Sequence, residues 1–386
     1  MPALFNLGFR PFFLGAAWFA VISMALWMAV YGFHYPLALD RISASQWHAH
    51  EMLYGYAIAV IAGFLLTAIR NWTGIATLSG LPLAFVFSLW LAARLLLLLG
   101  TDALVFAACA DLLFMLVLIP ACGVPIIRAR QWKQMAILSK LLMLGIGNAL
   151  FYAGALGLHE EGLRWSLYGG LYLVIALILT MGRRVIPLFI ERGVEPPVQL
   201  RNSRILDFSS LVLLLVFWIA EVFLQQHGVA AACSAAMFVV NAIRLAFWYT
   251  PGIWKKPLLW SLFLAFAMID VGFLLFALSA VMPIAVMLAV HAFAVGGIAL
   301  ITLAMMARVA LGHTGRSVHQ APAIIVLPIT LLLLAVLIRV MAPLVAPLHY
   351  AAWVMLSQAC WIAAFTVFGV AWLPILTRAR IDGAPG

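Results

Sequence analysis

Charged side chains are scarce in this sequence. Only 9% of its 386 residues are Asp, Glu, Lys or Arg, whereas 67% are hydrophobic; soluble domains carry about 25% charged and about 45–50% apolar residues. So few charges cannot cover a surface that faces water, which excludes a soluble enzyme, a disordered chain and a fibrous protein. The composition therefore predicts a protein that lies in the lipid bilayer.

Cysteine is scarce as well. The four cysteines stand singly in apolar stretches, with no CxxC pair and no CxxCH motif for covalent haem attachment. This pattern favours small core residues over a disulfide framework or a cysteine metal site.

Acidic residues are the rarer charged class, 12 against 22 Lys and Arg. The positive excess does not predict a nucleic-acid partner, because the basic residues are scattered between apolar runs. All but four of them lie on one side when the runs cross the membrane in turn; the exceptions are Arg41, Arg94, Arg164 and Arg339. By the positive-inside rule, that side is the cytoplasm, and both termini are expected there.

Long apolar runs dominate the chain. Twelve of them reach the roughly 20 residues that a membrane-spanning helix needs: 12–33, 49–70, 81–100, 103–127, 135–157, 165–188, 206–226, 228–249, 258–280, 284–310, 322–345 and 350–376. Backbone groups in lipid must be satisfied internally, which favours helices. We predict an all-α polytopic membrane protein, a single bundle of about 12 transmembrane helices over residues 1–386, arranged as three four-helix repeats.

Histidines at the spans are candidate functional residues, because ionisable groups in lipid are costly. His48 and His50 begin helix 2, beside Glu51, but point about 200° apart on a regular helix and so cannot share one metal. His291 lies in a wholly apolar part of helix 10. Imidazole is the commonest metal ligand, so His48, His50, His291 and His313 are the candidate metal ligands.

Helices 2 and 10 share a weak internal echo. Glycine follows each histidine at +5, and a Thr-Gly pair follows at +23 and +24; the matches are His50, Gly55, Thr73 and Gly74 against His291, Gly296, Thr314 and Gly315. The echo favours His50 over His48 as the partner of His291. Two imidazoles on facing helices suit the axial ligation of a haem b.

Two arginines lie toward the same outer side as these histidines. Arg94 and Arg339 are candidates to bind the haem propionates. Asp111 lies at the same level, and the alternative is that it neutralises Arg94.

His313 calls for a separate explanation. It follows His291 by 22 residues, which is roughly 33 Å of helix, about the full hydrocarbon thickness. One metal cannot bind both. At the cytoplasmic end, His313 has three alternatives: a cation capping the helix, a ligand of a second metal, or a contact for an electron donor such as quinol.

Several motifs together resemble the NnrS family of bacterial membrane proteins. They are Asn6–Phe13, Trp47–Met52, Asn71–Gly74, Gly182–Pro187, His291 and Arg308–Arg316. The resemblance implies twelve spans in the bacterial inner membrane, haem and copper as cofactors, and a role in the response to nitric oxide and nitrosative stress. Nitric oxide or its metal adducts are then the expected partners.

The layout also resembles the main subunit of haem–copper oxidases and nitric oxide reductases, where helices 2 and 10 supply the haem ligands. The predicted helices 6, 7 and 8 contain no histidine, so the copper ligands of those enzymes are missing. If copper binds, His48 is the candidate, with Met52 or Glu51.

Two alternatives to a haem protein that handles nitric oxide stay open at this point. One is a quinol-linked enzyme similar to nitric oxide reductase. The other is a transporter that uses intramembrane acids such as Asp270 and Glu221, although the matching broken helices of transporters are not evident in the sequence.

Overall fold

The computed structural model describes residues 3–37 and 39–384, and within that part of the chain it contains helices and no strand. Twelve helices are long and apolar enough to cross a membrane. In chain order, α1 to α12 are Phe9–Phe33, Ala44–Thr73, Gly80–Leu97, Thr101–Arg128, Trp132–Ala155, Gly162–Gly193, Arg204–Phe223, His227–Trp248, Pro257–Ser279, Val286–His313, Ala323–Val345 and Pro347–Thr377. The predicted all-α architecture with twelve spans is confirmed.

The chain divides into two compact units that interleave in sequence. Unit 1 holds the chain up to Val174, Met306–Ser317, and the stretch from Phe365 onward; unit 2 holds Ile175–Met305 and Val318–Ala364. In unit 1, α2 packs on α1 and α4; in unit 2, α9 packs on α8 and α10. That all of residues 1–386 form a single bundle of three repeats stays a prediction.

Apolar side chains cover much of the outer surface of both units. Leu81, Phe106 and Leu116 are exposed on helices of unit 1, and Phe208 and Leu215 are exposed in unit 2. Water would disfavour so much exposed apolar area, whereas lipid tails solvate it. These surfaces are those of a membrane protein.

Local side-chain chemistry fixes two helix ends in unit 1. The Ser43 hydroxyl accepts from the backbone of Gln46, whose side chain accepts from the Ser43 N–H in return, and this capping box starts α2 at Ala44. At the other end of the chain, buried Arg10 donates to the carbonyls of Leu376 and Arg378, at 2.9 and 2.7 Å. The last turn of α12 is thereby capped by a cation from α1.

Four spans contain a π-helical segment, where one extra residue widens the helix. They are Glu51–Ala57 in α2, Ile219–Phe223 in α7, Ala292–Ala299 in α10 and Leu337–Met341 in α11. Such segments are rare and recur at functional sites. Two of them begin directly after His50 and His291, and a third contains Arg339.

The internal echo between α2 and α10 extends to the backbone. Thr73 and Thr314 each donate their hydroxyl to the carbonyl four residues earlier, both at 2.7 Å. Gly74 and Gly315 follow with positive φ angles of 70° and 77°, the left-handed conformation that commonly ends a helix. The matched Thr-Gly pairs are therefore equivalent helix ends.

Candidate functional site

His50 lies in a closed polar cluster inside unit 1. Its ring has no solvent-exposed area and stacks on Phe151 with centroids 3.9 Å apart. Nδ1 lies 2.9 Å from Glu51 Oε1, and Nε2 lies 3.0 Å from Asn148 Oδ1. Both ring nitrogens are thus engaged by side chains of α2 and α5.

Arg94 neutralises the acids of this cluster. Its Nη1 donates to Glu51 Oε1 at 2.6 Å, and its Nη2 donates to Asp111 Oδ2. Tyr152 also donates to Asp111 Oδ2, at 3.0 Å. The alternative that Asp111 pairs with Arg94 therefore agrees with the structure, and both carboxylates have this guanidinium as a partner.

The contacts of the cluster bear on whether His50 fits a haem. Oxygen atoms of Glu51 and Asn148 occupy the positions next to both ring nitrogens of His50. To bind iron, His50 would have to give up one of these two contacts.

The π-helical segment after His50 is locked by neighbouring helices. The Trp90 indole N–H donates to the Gly55 carbonyl at 2.9 Å, and the Tyr54 hydroxyl donates to the Ser166 carbonyl at 2.9 Å. A Cβ on Gly55 would lie 2.5 Å from the Phe19 ring, so only glycine fits there. The widened turn is therefore fully packed and hydrogen-bonded.

His48 has different neighbours from His50. Its ring stacks on Trp27 of α1, with centroids 4.7 Å apart and planes 7° from parallel, whereas the His50 ring stacks on Phe151 of α5. The two rings point to different helices, in agreement with the helical angle between them. The predictions that His48 binds copper and that His50 binds haem stay predictions.

His291 in unit 2 has the opposite arrangement. Its Nδ1–H donates to the Met287 carbonyl at 2.8 Å, which leaves the lone pair of a neutral ring on Nε2. Arg339 donates to that Nε2 at 3.3 Å. Metal-ligating histidines typically donate their other ring N–H to a backbone carbonyl in this way. The half-buried His291 therefore fits an axial haem ligand.

Arg339 is buried, with 6% of its side chain exposed. Its Nη2 also donates to the Tyr350 hydroxyl at 2.9 Å, and the guanidinium carbon lies 5.2 Å from the Tyr350 ring centroid. In residues 3–37 and 39–384, no carboxylate forms an ion pair with it. Of the two predicted propionate-binding arginines, only Arg339 is without an acidic partner in the described chain.

His313 lies at the far end of α10, in a part of the helix that belongs to unit 1. Its Nε2 is 3.5 Å from the Asn71 amide nitrogen, and its carbonyl accepts from Arg380 at 2.9 Å. Hydrogen bonds from Arg380 lower the pKa of exposed Asp382 to about 2. His313 thus belongs to a basic helix end, and its role as a metal ligand stays a prediction.

Acidic side chains do not complete a protein-only metal site in the described residues. No three side chains of His, Cys, Asp or Glu converge there to hold an ion. Glu221 lies 3.0 Å from the exposed His227 ring at the start of α8, one residue before the sequence placed that helix. Asp270 is buried in α9.

A comparison with protein-family models matches residues 3–380 to the family described as NnrS protein. The chain belongs to the NnrS family. The match covers nearly the whole chain and confirms the resemblance that the motifs indicated. The NnrS family is a family of membrane proteins, in agreement with the twelve helices that can cross a membrane. No protein of curated function matches the NnrS chain significantly.

Several residues of the two histidine sites escaped the sequence analysis. Asn148, Tyr152 and Tyr350 hold His50, Asp111 and Arg339 in the structure, but they carry no motif of their own. Their signal in the sequence is weak: a polar atom on an apolar helix must find a partner, yet periodicity does not say on which helix.

Proposed function

We propose that this NnrS-family chain is a haem-binding protein of the bacterial inner membrane that handles nitric oxide, with His291 as an axial ligand of a haem b. The observation that carries the proposal is the hydrogen bond from His291 Nδ1 to the Met287 carbonyl. This bond fixes the ring and leaves its lone pair on Nε2, and an iron bound there would replace the contact between Nε2 and Arg339 Nη2.

The surroundings of His291 support this role. The Ala292–Ala299 π-helical segment follows it directly, and Phe293 of that segment is fully buried against Phe273. A haem, when bound, supplies an iron that binds nitric oxide. The chain itself orients the imidazole and places the Arg339 cation beside it.

Copper and quinol enter the proposal only through the family resemblance. For copper, His48 is the ligand we would test first, with Met52 or Glu51 as helpers. Glu51 is engaged by Arg94, so Met52 is the better helper. Neither the quinol-linked reductase nor the transporter gains a specific observation from the structure.

The test is the visible spectrum and haem content of the purified full-length protein. We expect a b-type spectrum, and we expect His291→Ala to lose most of the haem. His349→Ala is the matched control, because His349 is exposed and lies on the same predicted side. A colourless wild-type protein, or full haem with an unchanged spectrum in His291→Ala, would refute the proposal.

A further inference from the structure

Four arginines are buried in the described chain: Arg10, Arg94, Arg244 and Arg339. Three of them meet strong acceptors. Arg10 donates to helix-terminal carbonyls, Arg94 to two carboxylates, and Arg244 to the Leu206 carbonyl, Asp207 and other side chains. Arg339 differs from them, because its hydrogen-bond acceptors are the Tyr350 hydroxyl oxygen and His291 Nε2.

One face of the Arg339 guanidinium has no acceptor. Nη1 is buried and makes no hydrogen bond within the described chain, although it carries two N–H groups. A buried cation without a counter-charge is costly in lipid. The Arg339 side chain is nevertheless more than nine-tenths buried.

Tyr350 adds a second donor next to the Arg339 guanidinium, beside Nη2. Its hydroxyl oxygen accepts from Arg339 Nη2, so its own proton is directed elsewhere. At 36% exposed, Tyr350 connects the buried guanidinium with the surface at the start of α12. The positive-inside rule assigns this end of α12 to the outer side.

The backbone around Arg339 is also unusual. The residue lies in the Leu337–Met341 π-helical segment of α11, and α11 packs on the π-helical segment that follows His291. A Cβ on Gly296 would lie 2.6 Å from the Met268 Cβ, so the helices of unit 2 approach closely there. The Arg339 side chain is therefore held in a defined position by two closely packed π-helical segments, Ala292–Ala299 and Leu337–Met341.

We propose that Arg339 and Tyr350 form an anion site that takes a monovalent oxygen group, either a carboxylate or a small oxyanion. Arg339 Nη1 and the Tyr350 hydroxyl donate to it, and its single negative charge matches the single uncompensated cation. His291 Nε2 and the Tyr350 hydroxyl both contact Nη2, which leaves Nη1 for the anion. The inference rests on these contacts and does not need the haem.

The same ligand chemistry has two sources, a carboxylate of the bound prosthetic group or a free small anion. Sodium formate is a suitable probe, because it is the smallest carboxylate. Calorimetric titrations with formate are made on the full-length protein as isolated and after extraction of any haem. Binding as isolated indicates a free anion, and binding only after extraction indicates that the prosthetic group's carboxylate fills the site.

Matched variants decide whether Arg339 is responsible. Charge-assisted hydrogen bonds contribute about 1.5–3 kcal/mol, so we expect Arg339→Gln to weaken formate binding about 10- to 100-fold and Tyr350→Phe to weaken it less. Arg339→Lys should restore part of the affinity. Arg164→Gln, at an outer arginine that is partly exposed beside Glu161, should leave it unchanged.

The proposal would be overturned by two results. One is a protein that binds no formate in either preparation, and the other is equal affinity in wild type and Arg339→Gln. The calorimetric titration does not depend on haem absorbance. A failure to bind formate is therefore distinct from the absence of a haem spectrum. If Arg339→Gln fails to fold, the partial retention in Arg339→Lys and the loss in Tyr350→Phe still decide the question.

Discussion

The two units each place a histidine directly before a π-helical segment, but the two environments are opposite. In unit 1, His50 is enclosed by Glu51 and Asn148, and Arg94 is paired with two acids. In unit 2, His291 is neutral and directs its lone pair at an arginine that no acid neutralises in the described chain. The comparison teaches that a matching sequence pattern can produce one cluster in which arginine meets acids and one in which it does not.

Removing the central cation of unit 1 should have the largest effect. Arg94→Met leaves Glu51 and Asp111 buried without their guanidinium partner, which we expect to lower the free energy of unfolding by about 3–5 kcal/mol. Denaturant titration of the purified protein measures this. Arg164→Met is the control on a partly exposed ion pair and should change stability by less than about 1 kcal/mol. A stable, normally folded Arg94→Met would contradict the closed-site interpretation.

The histidine of unit 1 should come next. His50→Ala removes a stacked ring and two hydrogen bonds, which predicts a loss of about 2–4 kcal/mol. His50→Gln fills more of the space and keeps a polar side chain, so it should lose less. Equal stability of wild type and His50→Ala, measured in the same titration, would show that the contacts of His50 contribute little.

A single hydrogen bond sharpens the comparison further. Tyr152→Phe deletes the donor to Asp111 without changing the ring that packs beside His50. We expect a loss of about 1.5–3 kcal/mol, the usual range for a bond to a charged group. Within unit 2, Tyr350→Phe serves as the counterpart and should lose clearly less, because Tyr350 is partly exposed. The reverse order of the two losses would count against the difference between the units.

The smallest effect is expected at the arginine of unit 2. Replacing Arg339 by Met removes a buried cation together with its desolvation cost, so stability in anion-free buffer should be unchanged or higher. The measurement is the thermal unfolding midpoint, with Arg94→Met as the variant of opposite expectation. A large drop in Arg339→Met would mean that the described chain already satisfies this cation.

The sequence predicted the twelve spans because hydropathy directly reports which residues can lie in lipid. It missed the start of α2, which begins at Ala44 rather than near residue 49, because the first turns are polar. The Ser43 and Gln46 capping box was the signal that could have placed that boundary. Hydropathy locates the membrane, whereas capping chemistry sets the helix ends.

The sequence analysis found the candidate residues because ionisable side chains are costly in lipid. It did not find the residues that they contact. The pairing of Arg94 with Asp111 was one of two alternatives, and the Asn148 contact of His50 was not predicted, since it joins helices far apart in sequence. The π-helical segments were also missed, because one extra residue in a turn leaves no trace in hydropathy. The difference between His50 and His291 therefore emerged only from the structure.

The central claim is that His291, and not His50, is prepared to bind iron. Haem content per protein, measured in parallel for His291→Ala and His50→Gln purified under the same conditions, tests it most directly. The account predicts that His291→Ala loses most of its haem, while folded His50→Gln keeps a content and spectrum close to wild type. A haem-free but well-folded His50→Gln beside a fully loaded His291→Ala would contradict it.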